Sequence, residues 1–106
     1  MENTMTVDQL RASLSQSAPP PGLAPLLEAL WWEAKGNWHR AHEIAQAIDS
    51  RDAARVHAYL HRREGDAGNA AYWYRRAGLP PSHKPLDEEW REIAATLLRS
   101  ESGPRS

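Results

Sequence analysis

Hydrophobic residues recur at every third or fourth position in five stretches of the chain between residues 23 and 99, and this spacing predicts five helices. Residues that end and begin helices separate the stretches. The predicted ends are Gly36, Gly65 and Gly78, and the predicted N-caps are Asn37, Ser50, Asp66 and Asp87. No stretch of the sequence alternates apolar and polar residues as β-strands do, so the pattern predicts an all-α fold.

The two ends of the chain lack this strong helical pattern. We expect residues 1–22 to be a flexible N-terminal arm with a Pro-rich linker, residues 23–99 to be a single helical domain, and residues 100–106 to be a disordered tail. The fifth predicted helix supplies the cap that a short helical stack needs. We expect it to pack over Trp73 and Ala77 of the fourth predicted helix.

Composition excludes several classes of function. The 13 Lys and Arg residues nearly balance the 14 Asp and Glu residues, which does not favour binding to nucleic acid or to an anionic membrane. The sequence has no cysteine, so disulfides, thiolate metal sites and iron–sulfur clusters are excluded. It has no membrane-spanning run and no signal-peptide pattern, and we expect a cytoplasmic location. It also lacks a phosphate-binding glycine loop and an HExxH motif, so we expect neither catalysis nor a cofactor.

Two segments of the sequence, residues 34–41 and 63–70, are alike. In each one a helix ends at glycine, an asparagine or aspartate caps the next helix, and an alanine follows five residues after the glycine. A tight turn between antiparallel helices requires a positive φ at the stop, which glycine provides, and a small side chain where the backbones approach. The two segments therefore predict two helical hairpins.

These hairpins resemble the tetratricopeptide repeat, although their spacing is shorter than that family's repeat of about 34 residues. The matching positions are Ala58, Ala70, Tyr74, Pro80 and Pro81 in the second unit, and Ala29 and Ala41 in the first. The resemblance implies two stacked antiparallel hairpins with a right-handed superhelix. Residues 56–78 are also similar to a family of small uncharacterised bacterial proteins, which implies no activity.

One face of the third predicted helix carries the Arg–Tyr stripe, Arg55, Tyr59 and Arg62. By the tetratricopeptide resemblance these positions line a groove, and two guanidinium groups beside a phenol suit a carboxylate. The expected apolar wall of the groove is Leu26, Leu30 and Trp32. We therefore expect a protein-interaction module that binds a short acidic or C-terminal peptide segment. The alternative is a solvated face whose arginines pair with neighbouring acidic residues.

The histidines form the second candidate site. His57 and His61 are four residues apart and share a helix face. If the chain turns near residue 50, His42 on the preceding helix reaches the level of His57, and His39 the level of His61. Such imidazoles could bind zinc, nickel or copper, whereas the alternative is that they only fill space in the core. The second hypothesis is thus a small-molecule or metal-binding protein, possibly enzymatic, built on His42, His57 and His61.

The adjacent Trp31 and Trp32 cannot both be buried in a two-layer hairpin, because their side chains diverge by about 100° on a helix. One of them is predicted to pack between helices. The other is predicted to lie in a homodimer contact, at a ligand surface or beneath the N-terminal arm. In the last case Val7, Leu10 and Leu14 would fold back over the exposed indole.

Overall fold

The structure, a computed structural model, describes residues 5–102. Helices are the only regular elements in this part of the chain. They are α1 (Val7–Ala12), α2 (Pro25–Ala34), α3 (Trp38–Gln46), α4 (Arg51–Arg63), α5 (Ala67–Ala77) and α6 (Leu86–Ser102), with a 3₁₀ turn, Ser13–Ser15, after α1. The predicted all-α class is confirmed. Among residues 5–102, none of the helices has the length and apolar character needed to cross a bilayer.

Two tight turns shape the hairpins. Gly36 ends the turn after α2 with φ of 94°, and Gly65 ends the turn after α4 with φ of 86°. These values lie in the left-handed region, where a side chain would be strained. Asn37 and Asp66 follow them as N-caps, each accepting a backbone N–H with its side chain. Asp87, in contrast, lies inside the first turn of α6, because that helix begins at Leu86.

The helices pack as two pairs joined through α4. Helix α2 packs on α3, α4 packs on α5, and α3 packs on α4. Helix α6 packs mainly against α4 and α2, which corrects the predicted position over Trp73 and Ala77. The buried indole of Trp90 needs an acceptor and donates to the Leu30 carbonyl oxygen at 3.1 Å. Trp73 is instead stacked on the imidazole of His57.

The N-terminal arm is part of the core. Leu10 is fully buried, and Leu14 packs against the same cluster. The indole nitrogen of Trp31 donates to Ser13 Oγ at 3.0 Å, and Lys35 Nζ donates to the Leu14 carbonyl oxygen at 2.8 Å. Burying a leucine contributes about 1.5–3 kcal/mol, which offsets the cost of ordering a short helix.

This packing corrects two expectations. Residues 7–16 are held against α2, where the sequence predicted a flexible arm. Trp31 is fully buried, so it cannot form the predicted homodimer contact, whereas a contact through the partly buried Trp32 stays a prediction. The predicted tail also begins inside α6, which extends to Ser102, and residues 103–106 lie outside the described residues.

Candidate metal centre

Helix α4 presents the Arg–Tyr stripe toward α2 and α6. Tyr59 is 1% exposed, and its hydroxyl donates to Glu33 Oε1 at 3.3 Å. Arg63 Nε lies 2.8 Å from the other oxygen of the same carboxylate. Burial raises the pKa of Glu33, although Arg63 and the Tyr59 hydroxyl oppose that shift. Glu33 is thus a buried acid of α2 that is linked to α4 by two donors.

A second buried acid, Glu89 of α6, is held in the same way. Arg62 donates to Glu89 Oε1 at 2.7 Å and to the Lys84 carbonyl oxygen at 2.8 Å. The Tyr74 hydroxyl donates to Glu89 Oε2. Burial raises the pKa of the Tyr74 phenol, and the bond to Glu89 raises it further, so the phenol remains a donor. Glu89 therefore ties α6 to both α4 and α5.

The predicted groove residues do not lie together on one open groove. Leu30 and Tyr59 are buried, and Arg62 is bonded to Glu89, while Arg55 lies 3.9 Å from Glu92. The remaining predicted residues, Leu26 and Trp32, are partly buried against the core. The reason is that α6 packs on the face of α4 that the prediction left free. Binding of an acidic peptide stays a prediction, but the buried Leu30 and Tyr59 are not exposed to such a partner.

The opposite face of α4 carries His57 and His61, which form the histidine cluster together with His42 of α3. The Nε2 atoms of His42 and His57 lie 2.9 Å apart, across the α3–α4 interface. One nitrogen from each of the three imidazoles lies within 4.8 Å of the others. His57 and His61 are buried, and His42 is partly buried. The structure thus brings together the three histidines that the metal hypothesis named.

Two tryptophans form the walls of the cluster. Trp38 stacks on His42, with ring centroids 4.8 Å apart, and Trp73 stacks on His57 at 3.9 Å. The indole nitrogen of Trp38 also donates to the Leu60 carbonyl oxygen at 2.7 Å, which fixes this ring to α4. These flat contacts restrict rotation of the imidazoles and keep water from their faces. The cluster is therefore partly organised before any ligand arrives.

Two imidazoles of the cluster have lowered pKa values. Burial, followed by the neighbouring imidazoles of His42 and His61, lowers the pKa of His57 to about 4. Burial also lowers the pKa of His42, and the neighbouring His61 adds to this shift. Both rings are consequently neutral at pH 7, which is the state in which imidazole binds a metal ion.

The third imidazole is oriented by a carboxylate. His61 Nδ1 lies 2.7 Å from Glu64 Oε2, which leaves Nε2 as the nitrogen available to a metal. Carboxylates commonly orient metal-binding histidines in this way. Asp66 lies near the same imidazole, but both acids are at least partly exposed. His39 is exposed and packs edge-on against Trp38, outside the cluster.

The distances suit a tetrahedral ion after small movements. In a tetrahedral zinc site the ligand nitrogens are about 3.3 Å apart, given Zn–N bonds of about 2.0–2.1 Å. The His42 and His57 nitrogens, at 2.9 Å, need to separate by a few tenths of an ångström. The His61 nitrogen lies within 4.8 Å of the other two and has to move closer to them for all three to bind one ion. Three protein ligands leave the fourth position of the ion open.

Local spacing carried the signal for this cluster. The i, i+4 spacing places His57 and His61 on one face, and the short α3–α4 connection places His42 opposite them. The carboxylate of Glu64 was not predicted to take part, although its position three residues after His61 places it on the same helix face.

Comparisons of the chain with family models, curated proteins and solved structures found no match.

Proposed function

We propose that the protein binds a divalent transition metal ion, zinc in the first place, through His42, His57 and His61. The observation that supports this most strongly is the approach of two imidazole Nε2 atoms to 2.9 Å, with a third imidazole beside them. Of two neutral imidazoles that face each other through their Nε2 atoms, one carries its proton on Nε2. When that ring changes tautomer and carries the proton on Nδ1, both Nε2 atoms are free to bind a metal ion. The ligand set contains only nitrogen atoms, which suit zinc, copper and nickel.

The bound ion would join α3 to α4. Helix α3 contributes one ligand and α4 contributes two, so binding energy becomes energy that holds the helices together. The fourth coordination position would hold water or a small ligand. The function we propose is binding rather than catalysis.

We also propose that the two hairpins, α2–α3 and α4–α5, are stacked in the right-handed manner of the tetratricopeptide repeat. The packing of α4 against both α2 and α3 supports this proposal. The buried alanines Ala41 and Ala70, which follow the two turns, support it further, because close helix packing requires small side chains there.

Zinc titration of the chelator-stripped protein tests the metal proposal. We expect calorimetry to show one zinc ion per chain, and unfolding to show about 2.7 kcal/mol of added stability when free zinc is 100 times Kd. The His57→Gln and His42→Gln variants should lose both effects. Because His57 is buried and His42 only partly so, the second variant keeps the test valid if the first fails to fold.

His39→Gln is the matched control. It removes an exposed histidine from α3, the helix that carries His42, and should leave zinc affinity unchanged. The proposal is wrong if the native protein binds no zinc at micromolar concentrations. It is also wrong if His39→Gln weakens binding as much as His42→Gln does.

A further inference from the structure

A cleft of about 390 Å³ lies beside the histidine cluster, where α3, α4 and α5 meet. His57 forms part of its wall. The small, buried side chains Ala45, Ala53 and Ala54 line it as well and give it an apolar floor. The volume falls within the range of about 300–1,000 Å³ that is typical of small-molecule sites, and the lining mixes apolar with polar residues. The volume is therefore large enough for a small organic molecule.

Two arginines stand at the rim of the cleft. Arg51 begins α4, and its guanidinium lies beside Gly78 at the end of α5. The Arg76 guanidinium lies over the Trp73 ring, 5.5 Å from its centroid. Both arginines are exposed, and neither has a carboxylate within ion-pair distance among residues 5–100, whose side chains the structure describes. Asp49 also lines the cleft, and the two arginines outweigh its single negative charge.

Arg51 and Arg76 differ from other arginines of the protein in having no carboxylate partner among the described side chains. Arg55, Arg62 and Arg63 on α4 each lie within 4.0 Å of a glutamate. Arg51 is on the same helix and Arg76 on the next, yet both face the cleft without such a partner. Two guanidinium groups can hold an oxyanion through charge-assisted, bidentate hydrogen bonds.

We infer that this cleft binds a small organic carboxylate, with the carboxylate between Arg51 and Arg76 and the apolar body on the alanine floor. The floor distinguishes such a ligand from inorganic phosphate, which has no apolar part to bury. The metal ion is not needed for this binding. Because His57 belongs to both the wall and the histidine cluster, the bound anion would lie near the proposed metal ion.

Benzoate is a suitable probe for the site, and the protein is first stripped of metal with EDTA, which is then removed by dialysis into metal-free buffer of low ionic strength. We expect calorimetry or ligand-observed NMR to give a Kd of about 1 mM or tighter, as a ligand of this size allows. Benzamide has the same shape without the charge and should bind at least about tenfold more weakly. Inorganic phosphate should also bind more weakly, because it gains nothing from the floor.

Substitutions of single arginines test which of them bind the carboxylate. Arg76→Gln and Arg51→Gln should each weaken benzoate binding at least about tenfold. Arg75→Gln is the matched control, since it removes the same charge from an exposed neighbour on α5 that does not line the cleft. All three side chains are exposed, so the variants should fold, and a melting curve checks this.

Three results would overturn the inference. They are equal binding of benzamide and benzoate, phosphate binding as tight as that of benzoate, and equal losses in Arg75→Gln and Arg76→Gln. Because the protein has been stripped of metal, the result does not depend on zinc. Failure of zinc binding would leave the benzoate result standing, and failure of benzoate binding would leave the zinc result standing.

Discussion

The two faces of α4 show opposite ways of placing polar side chains inside a small protein. On the face toward α2 and α6, each buried glutamate meets one arginine and one tyrosine. On the face toward α3, His57 and His61 meet a third imidazole and two indole rings. The first face pairs acids with donors, so its hydrogen-bonding groups satisfy one another. The second brings together three imidazoles, whose nitrogens a metal ion could bind.

The paired face is built from two similar units. Glu33 with Tyr59 and Arg63 joins α2 to α4, and Glu89 with Tyr74 and Arg62 joins α6 to α4 and α5. A buried carboxylate without partners would be costly, and removal of one partner from a buried ion pair is strongly destabilising. The comparison therefore predicts that substitutions on this face lower stability, whereas substitutions on the histidine face lower metal affinity.

The largest effect is expected from Glu89→Ala. Glu89 is 1% exposed, and its loss leaves the Arg62 guanidinium and the buried Tyr74 hydroxyl without their acceptor. We expect urea unfolding to show a loss of about 3–5 kcal/mol. Glu92→Ala, on the same helix, is the control. Its carboxylate is more exposed and contacts Lys84 and Arg55 at the surface, so it should cost less than about 1 kcal/mol. Equal losses in both variants would contradict the role assigned to Glu89.

Sequence reasoning predicted the two faces unequally because their contacts differ in range. His57, His61 and His42 are brought together by a helical turn and one short connection, both of which local patterns predict. The Arg–Tyr stripe was also found, but its partners lie far away in the chain: Glu33 precedes Tyr59 by 26 residues, and Glu89 follows Arg62 by 27. Helix periodicity indicates which residues share a face. It does not indicate which other helix will cover that face, and α6 covers this one.

A smaller loss is expected when the metal-free protein is acidified. The pKa of His57 is lowered to about 4 in the folded protein, against about 6.5 in the unfolded chain. Below about pH 6.5 the His57 imidazole of the unfolded chain becomes protonated, whereas in the folded protein it stays neutral until the pH approaches 4. The stability contributed by the neutral ring is complete above about pH 6.5 and is lost as the pH falls toward 4. His57→Gln should flatten this loss, measured by urea unfolding at pH 7 and pH 5.

The pH dependence of stability has to be compared between variants, because the pKa of Glu33 is shifted in the opposite direction to that of His57. The pKa of Glu33 is raised, so the folded protein binds a proton more readily than the unfolded chain, and this contributes stability as the pH falls. The native protein therefore shows the sum of opposite trends, to which the lowered pKa of His42 also contributes, and only the difference between variants isolates His57. His39→Gln should keep the native pH profile. A His57→Gln profile identical to the native one would show that the cluster does not hold His57 neutral.

The smallest effect is expected from Tyr59→Phe. The hydroxyl of Tyr59 donates to Glu33 across 3.3 Å, a long hydrogen bond, and Arg63 stays in place on the other carboxylate oxygen. We expect a loss of about 0.5–1.5 kcal/mol in urea unfolding, because the aromatic ring keeps its packing and the acid keeps one partner. Zinc affinity should not change, since no atom of Tyr59 belongs to the histidine cluster. A change in zinc affinity as large as that in His42→Gln would contradict the separation of the two faces, because it would mean that α4 shifts as a unit when either face is altered.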